Sequence, residues 1–188
     1  MNGLLGKFAR PASTRPPEIF LMNSSSPRLV AWLVVSAGLA FAEPPAAVVL
    51  TGDAAAPIAS GVGVPAGRAY FWTSGTGATV IKKDGATTYD RYGDTYVQSA
   101  ATLKNLAAVL AKQGLTMQDV IYLRVYVAPD ATKGGKPDFP AWFRAYGEVF
   151  NTKENPVKTA RSTVGVAALT NPDWLIEIEA VAVYPEKK

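Results

Sequence analysis

The chain has 188 residues, with 19 basic and 15 acidic side chains, a net charge of +4, and neither histidine nor cysteine. That length allows one domain with a real core and some sequence besides. The missing residue types exclude disulfides, Ser-His-Asp and Cys-His nucleophiles, and metal centres built on imidazole or thiolate.

The charge is unevenly placed. Lys7, Arg10, Arg15 and Arg28 stand against Glu18 alone in residues 1–42, which leaves 15 basic and 14 acidic residues for everything after them. A domain at net +1, without a basic stripe or basic–aromatic interleaving, does not present a nucleic-acid surface. Residues 29–42 (LVAWLVVSAGLAFA) form an uncharged apolar run preceded by Arg28 and ending in Ala-Phe-Ala. The run is short of the ~20 residues a bilayer-spanning helix needs. Its cationic flank and small-x-small end predict a secretory signal peptide cleaved after Ala42, with an uncleaved anchor or a buried helix as the alternatives. The expected product is exported, periplasmic or secreted, and holds no stable membrane anchor after cleavage. A start at Met22 would make the signal peptide compact and leave 1–21 outside the natural product.

Residues 43–67 are rich in Pro, Ala and Gly and read as a tether (43–60) running into a domain over 61–188. Ala69–Ser74 predicts a strand stopped by Gly75-Thr76-Gly77, with Thr79–Lys82 as a shorter partner. The Gly75-Thr76-Gly77 stretch is too short for a phosphate cradle and reads as a turn. From Asp94 the period changes: Tyr96, Ala100, Leu103, Ala107 and Leu110 recur at three and four, and Gly114 follows, which predicts an amphipathic helix with a glycine stop.

Asp119–Val127 alternates, with Ile121, Leu123, Val125 and Val127 on an aliphatic face for the helices. Val120, Tyr122, Arg124 and Tyr126 share a face better suited to a protein interface than to water. Residues 128–137 predict a loop, in which Lys133-Gly134-Gly135-Lys136 is an exposed turn before it is an anion site. Asp138 and Pro140 open a second helix with an apolar stripe of Phe139, Trp142, Phe143, Tyr146, Val149 and Phe150.

The last stretch, 160–184, holds two Val/Ile-rich runs about Asn171-Pro172-Asp173 and reads as a β-hairpin. Ile176, Ile178, Ala180 and Ala182 share one face of the second run; Glu177, Glu179, Val181 and Val183 share the other. Pairing 161–169 with 174–183 would set Arg161 roughly 17–20 Å from Glu177 at about 3.3 Å per residue. If the two share a site, a second subunit must bring them together. The order β-β-α-β-α-β-β predicts an α+β fold: a single mixed sheet with two helices on one face. Its other face, bearing Tyr122, Arg124, Tyr126, Glu177 and Glu179, is left for a second subunit to cover.

Ala160-Arg161-Ser162-Thr163-Val164 and Ile176-Glu177-Ile178-Glu179-Ala180 resemble the C-terminal signature of the RidA/YjgF family of enamine/imine deaminases. Leu103…Asn105-Leu106, Gly114-Leu115, Asp119-Val120 and Thr73-Ser74-Gly75 add to the likeness, which spans about 57–184. The resemblance implies a chorismate-mutase-like fold and a homotrimer with three clefts between subunits. It implies that Arg161 holds the carboxylate of a 2-imino or 2-enamino acid, that Glu177 positions or activates the attacking water, and that Ser74, Gly75 and Thr163 line the cleft. No metal or organic cofactor is implied. The competing reading of Arg161 is a rim residue paired with an acid of its neighbour. The sequence departs from the family pattern at Ile58, where a tyrosine is usual, at Thr76 for a glutamine, and at Phe143 for an asparagine. Two further readings stand beside the deaminase: a non-catalytic trimer binding small carboxylates such as 2-keto acids, and an endoribonuclease.

Overall fold

The computed structural model describes residues 44–186. The signal-peptide run and the Met22 start lie outside the described residues. The core of the fold is a four-stranded mixed sheet built from β3 (Tyr70–Trp72), β4 (Val120–Val127), β7 (Ala160–Gly165) and β8 (Ile176–Val183), in the spatial order β3-β8-β4-β7. β8 runs antiparallel to both β3 and β4, and β7 runs parallel to β4.

The expected hairpin of 161–169 with 174–183 is therefore not formed, because β4 lies between its two arms. The burial patterns give the reason. β4 and β8 are the most apolar strands, and β8 has Val181 and Val183 buried on one face as well as Ile176, Ile178, Ala180 and Ala182 on the other. Each gains more from two neighbours than from one. β7 carries Ser162, Thr163 and Gly165 and stays half open, as an edge strand can.

Two main helices cover one face of this sheet. α2 (Thr95–Ala111) starts where Asp94 accepts from Val97 N–H at 2.8 Å, and Gly114 follows its end at φ +70°. α3 (Phe139–Gly147) is capped by Asp138 accepting from Ala141 N–H, with Pro140 in its first turn. Leu103, Leu106 and Leu110 of α2 and Trp142, Ala145 and Tyr146 of α3 close over Leu123, Val125 and Ile178 in one cluster. Full burial of such side chains stabilises by about 1.5–3 kcal/mol each.

Several local expectations change. A register shift between Val120 and Tyr122 puts Val120 opposite Ala182 in the core and leaves Ile121 half-exposed, the reverse of strict alternation. Ala100 is exposed, and the N-terminal half of α2 buries Thr95, Gln98, Ser99 and Thr102 instead. Thr79–Lys82 forms no strand. Thr79 hydrogen-bonds the Asn105 side chain, and Ile81 N–H donates to Arg91 of α1 (Thr88–Tyr92), a short helix absent from the sequence reading. The stretch 43–67 holds a strand pair, β1 (Val49–Thr51) with β2 (Gly61–Gly63), and the 128–137 loop holds β5 (Pro129–Asp130) with β6 (Lys136–Pro137).

Candidate functional site

Arg161 and Thr163 belong to the edge strand β7. Arg161 is in register with Leu123 and Thr163 with Val125, so both point to the helix-covered side of the sheet. There the guanidinium meets α3. Its Cζ lies 4.3 Å from the Tyr146 ring centroid, 4.9 Å from Phe143 and 5.6 Å from Trp142. Cations over aromatic faces are favoured, but such faces leave N–H donors unspent. Arg161 Nη1 is buried and has no hydrogen-bond partner, and no carboxylate among the described residues lies within ion-pair distance. Burial pulls the Arg161 guanidinium below its ordinary value, and Tyr146 acts weakly in the other direction. Arginine still remains charged at any physiological pH. Pro57, Phe143, Tyr146, Gly147, Phe150, Asn151 and Arg161 line a cavity of about 250 Å³ here. Thr163 Oγ1 accepts from Trp142 Nε1 at 3.3 Å, and Tyr146 OH lies 3.1 Å from Thr159 Oγ1, which fixes the aromatic wall.

Ser74, Gly75 and Glu177 come together at the opposite edge. After β3 the chain zips along β8: Thr73 N–H donates to Ala180 O, and Thr76 and Ile178 exchange backbone hydrogen bonds at 2.9 Å. This lays the Gly75 backbone against Glu177. A Cβ added to Gly75 would lie 2.6 Å from Glu177 Cδ and nearer still to Oε1. Glycine is needed here for close approach. The Trp174 ring packs on Gly77 in the same way, and Asn105 Nδ2 donates to Gly77 O at 2.9 Å, so the turn is held from two sides. Thr76 Oγ1 reaches Ser74 O at 3.5 Å. Glu179, two residues on, is occupied by Arg124 at 2.9 Å and Tyr126 at 3.3 Å. Glu177 has no such partner among the described residues.

The five candidate residues thus fall into two groups within one chain, not one. Glu177 is in register with Tyr126 and Arg161 with Leu123, on opposite faces of the sheet with β4 between them. Two strand spacings and three residues put their backbones about 14 Å apart. The expectation that they do not meet within one chain holds, although through sheet order and not through a hairpin. The apolar stripe of α3 reads from sequence as core or interface; Phe143, Tyr146 and Phe150 of it also wall the arginine cavity. The clue was their recurrence on the stripe that faces the Arg161 strand. The uncovered sheet face carries Tyr70 and Trp72, 45% and 68% exposed, beside Tyr122, Arg124 and Val164.

Residues 53–184 match the family model described as endoribonuclease L-PSP. A RutC family protein of Synechocystis sp. is 32% identical over 139 residues, covering 73% of this chain and 96% of the relative. A RutC family protein of Haemophilus influenzae is 36% identical over 90 residues, 48% of this chain and 64% of that one. Among solved structures, YyfB of Yersinia pestis, a protein of unknown function of the conserved Rid protein family, superposes with a TM-score of 0.56 at 28% identity, covering 73% of this chain and 98% of its own. PA3499 of Pseudomonas aeruginosa, also of unknown function, gives a TM-score of 0.50 at 25% identity, covering 71% and 86%.

Proposed function

The chain belongs to the Rid/YjgF family, with its chorismate-mutase-like fold, and on that premise we propose that it hydrolyses 2-imino and 2-enamino acids to 2-keto acids and ammonia. The observation that carries this reading is the buried Arg161 Nη1 without a partner, at the wall of a cavity sized for a small acid. A charge desolvated by aromatic rings and left unpaired is costly unless an anion completes it. A planar guanidinium suits a carboxylate.

The site is completed between subunits. Arg161 and Thr163 lie on edge strand β7, and Ser74, Gly75 and Glu177 lie beside edge strand β3, so a head-to-tail contact joins unlike edges. Heterologous contacts close into rings when their rotation permits and run on as filaments when it does not, and a closed homotrimer is the assembly we propose. It would also cover Tyr70, Trp72 and Val164. In the cleft, Arg161 of one subunit holds the substrate carboxylate. Glu177 of the next accepts a proton from water as the water oxygen bonds to the imine carbon. The C=N π electrons take up a proton at nitrogen, giving a tetrahedral carbinolamine. The C–N bond then breaks, the amine leaves as ammonia, and the hydroxyl proton is lost to leave the 2-keto acid. Positioning and proton transfer by such groups typically give about 10²–10⁴-fold. The residues require no cofactor for this. On the 29–42 run we propose that the protein acts outside the cytoplasm.

The test generates imines in situ with an L-amino acid oxidase and traps survivors with semicarbazide. Wild type, taken from Glu43 onward, is expected to lower the trapped signal, and Arg161→Ala is not. Clearance by the variant equal to wild type would refute the reading. Ile58, Thr76 and Phe143 favour one alternative, a trimer that binds 2-keto acids without turnover. Binding without clearance across an imine panel would establish it. The description of the family model favours the endoribonuclease reading, but the absence of histidine and the near-neutral charge of residues 43–188 argue against it.

A further inference from the structure

Phe143 stands out on α3. Its stripe neighbours Trp142 and Tyr146 are buried, yet Phe143 is 45% exposed, at the mouth of the Arg161 cavity and stacked on Phe139 at 6.4 Å and 18°. An exposed aromatic ring beside a guanidinium could serve only to cover the cation. Phe143 does lie over it at 4.9 Å, but Tyr146 covers it more closely at 4.3 Å, and Phe143 keeps nearly half its surface free at the cavity. Phe150 and Pro57 continue the apolar wall, and Tyr146 and Phe150 stack at 5.0 Å. The cavity is therefore an apolar slot with Arg161 as its cationic corner and Asn151 as its other polar residue. At about 250 Å³ it is an open groove with apolar wall extending beyond the guanidinium corner.

We infer that this slot selects acids whose side chain is aromatic or bulky and apolar, with Phe143 as the specificity-determining residue. The inference rests on Arg161 holding the carboxylate, as proposed above. The side chain of the acid lies along Phe143 and Phe150 and expels water that those rings cannot hydrogen-bond. Discrimination of this kind is worth about 10–200-fold for even one methylene-sized group in an apolar pocket. Gly147 supplies an independent handle. It lines the slot at the end of α3, and a Cβ added there meets nothing within 4 Å. A larger side chain at 147 would stand at the rim of the slot and narrow its entrance, and it replaces glycine with a better helix former.

The experiment measures binding of phenylpyruvate and pyruvate to full mature protein by calorimetry, alongside clearance of the imines made from phenylalanine and alanine. Wild type is expected to bind phenylpyruvate at least tenfold more tightly than pyruvate. Phe143→Asn should reduce that ratio to about threefold or less, and Gly147→Leu, at the rim, should also lower it. The readout is a ratio, which a general loss of folded protein leaves unchanged. Equal affinity for the two acids in wild type overturns the inference, as does a ratio that survives both substitutions. A change in oligomeric mass in Phe143→Asn at constant ratio also overturns it, by making Phe143 an interface residue. The outcome is separable from that of the deaminase reading. A strong phenylpyruvate preference with no imine clearance leaves the inference standing and removes catalysis. Clearance of both imines at equal rates, with equal affinities, does the reverse. Failure of both acids to bind removes Arg161 as the carboxylate site and the inference with it.

Discussion

Replacing Gly75 with alanine should separate the proposed catalysis from binding. The added Cβ would lie 2.6 Å from Glu177 Cδ and 3.0 Å from Cγ, where carbon atoms prefer about 3.5–4.0 Å. The carboxylate must retreat by about 1 Å, and a displacement of that size at a reacting group costs about 10²-fold in rate. The effect on stability is smaller. Gly75 has no left-handed backbone to strain, Glu177 is only partly buried, and forcing one side chain off its rotamer costs about 0.5–1.5 kcal/mol. Binding of 2-keto acids through Arg161 should persist. The assay is the initial rate of imine clearance, with Tm and keto-acid affinity measured on the same preparation. A rate reduced about 100-fold with near-normal Tm and affinity is expected. Full clearance by a folded Gly75→Ala protein would refute the role given to Glu177 and to its contact with Gly75.

Arg161→Lys keeps the charge but loses the planar fork and its stacking on Tyr146 and Phe143, so keto-acid affinity should fall by about tenfold or more; calorimetry with unchanged affinity would contradict this. Asp130 is fully buried and accepts from Tyr89 OH at 2.6 Å, Thr95 Oγ1 at 2.9 Å and both Thr132 groups, so Asp130→Ala should cost about 3 kcal/mol in urea unfolding. Acid sensitivity follows from the same networks. Burial pushes the Asp130 carboxyl up, but hydrogen bonds from Thr132, Tyr89 and Thr95 outweigh it and hold it below its ordinary value of 3.8. Asp173 is held below that value by Arg91, which donates at 2.5 and 2.6 Å, and by Thr88. Folded values that lie below unfolded ones give stability that is present above the unfolded value and lost as pH falls through the folded one. Tm should therefore be flat from pH 7 to about 5 and drop below about 4, and a Tm constant down to pH 3 would contradict this.

The existence of the strands was legible in the sequence, and their neighbours were not. Alternation told which residues of β8 face the helices, and Ile176, Ile178, Ala180 and Ala182 do so. It carries no information about which strand lies alongside, and Asn171-Pro172-Asp173 mimicked a hairpin turn. In fact that segment is docked on the helices. Gln98 donates to Asp173 O and accepts from Leu175 N–H, Arg91 pairs with Asp173, and Asn171 reaches Tyr92. An apolar stripe cannot reveal such contacts, because the residues that make them are polar. The same blindness hid the buried Thr95, Gln98, Ser99 and Thr102 of α2. The bulge at Val120 had a visible trace, two adjacent aliphatics in an otherwise alternating run.

The candidate residues were legible one by one. Arg161, Thr163, Ser74, Gly75 and Glu177 came from short stretches that resemble a known pattern. The structure adds that the first two and the last three lie at opposite edges and on opposite faces. What the sequence could not give is the free space around Arg161, since that depends on α3 crossing β7. Nor could it show that Gly75 is filled by a carboxylate from a strand a hundred residues later.

Subunit mixing tests the composite site most directly. Arg161→Ala and Glu177→Gln proteins, each expected to be inactive, are refolded together in equal amounts and assayed for imine clearance. If each cleft takes its arginine from one subunit and its glutamate from the next, random mixing leaves about one cleft in four intact. The mixture should then recover about a quarter of wild-type activity. Recovery at that level is the predicted result; a mixture that forms trimers and stays as inactive as its components would contradict the account.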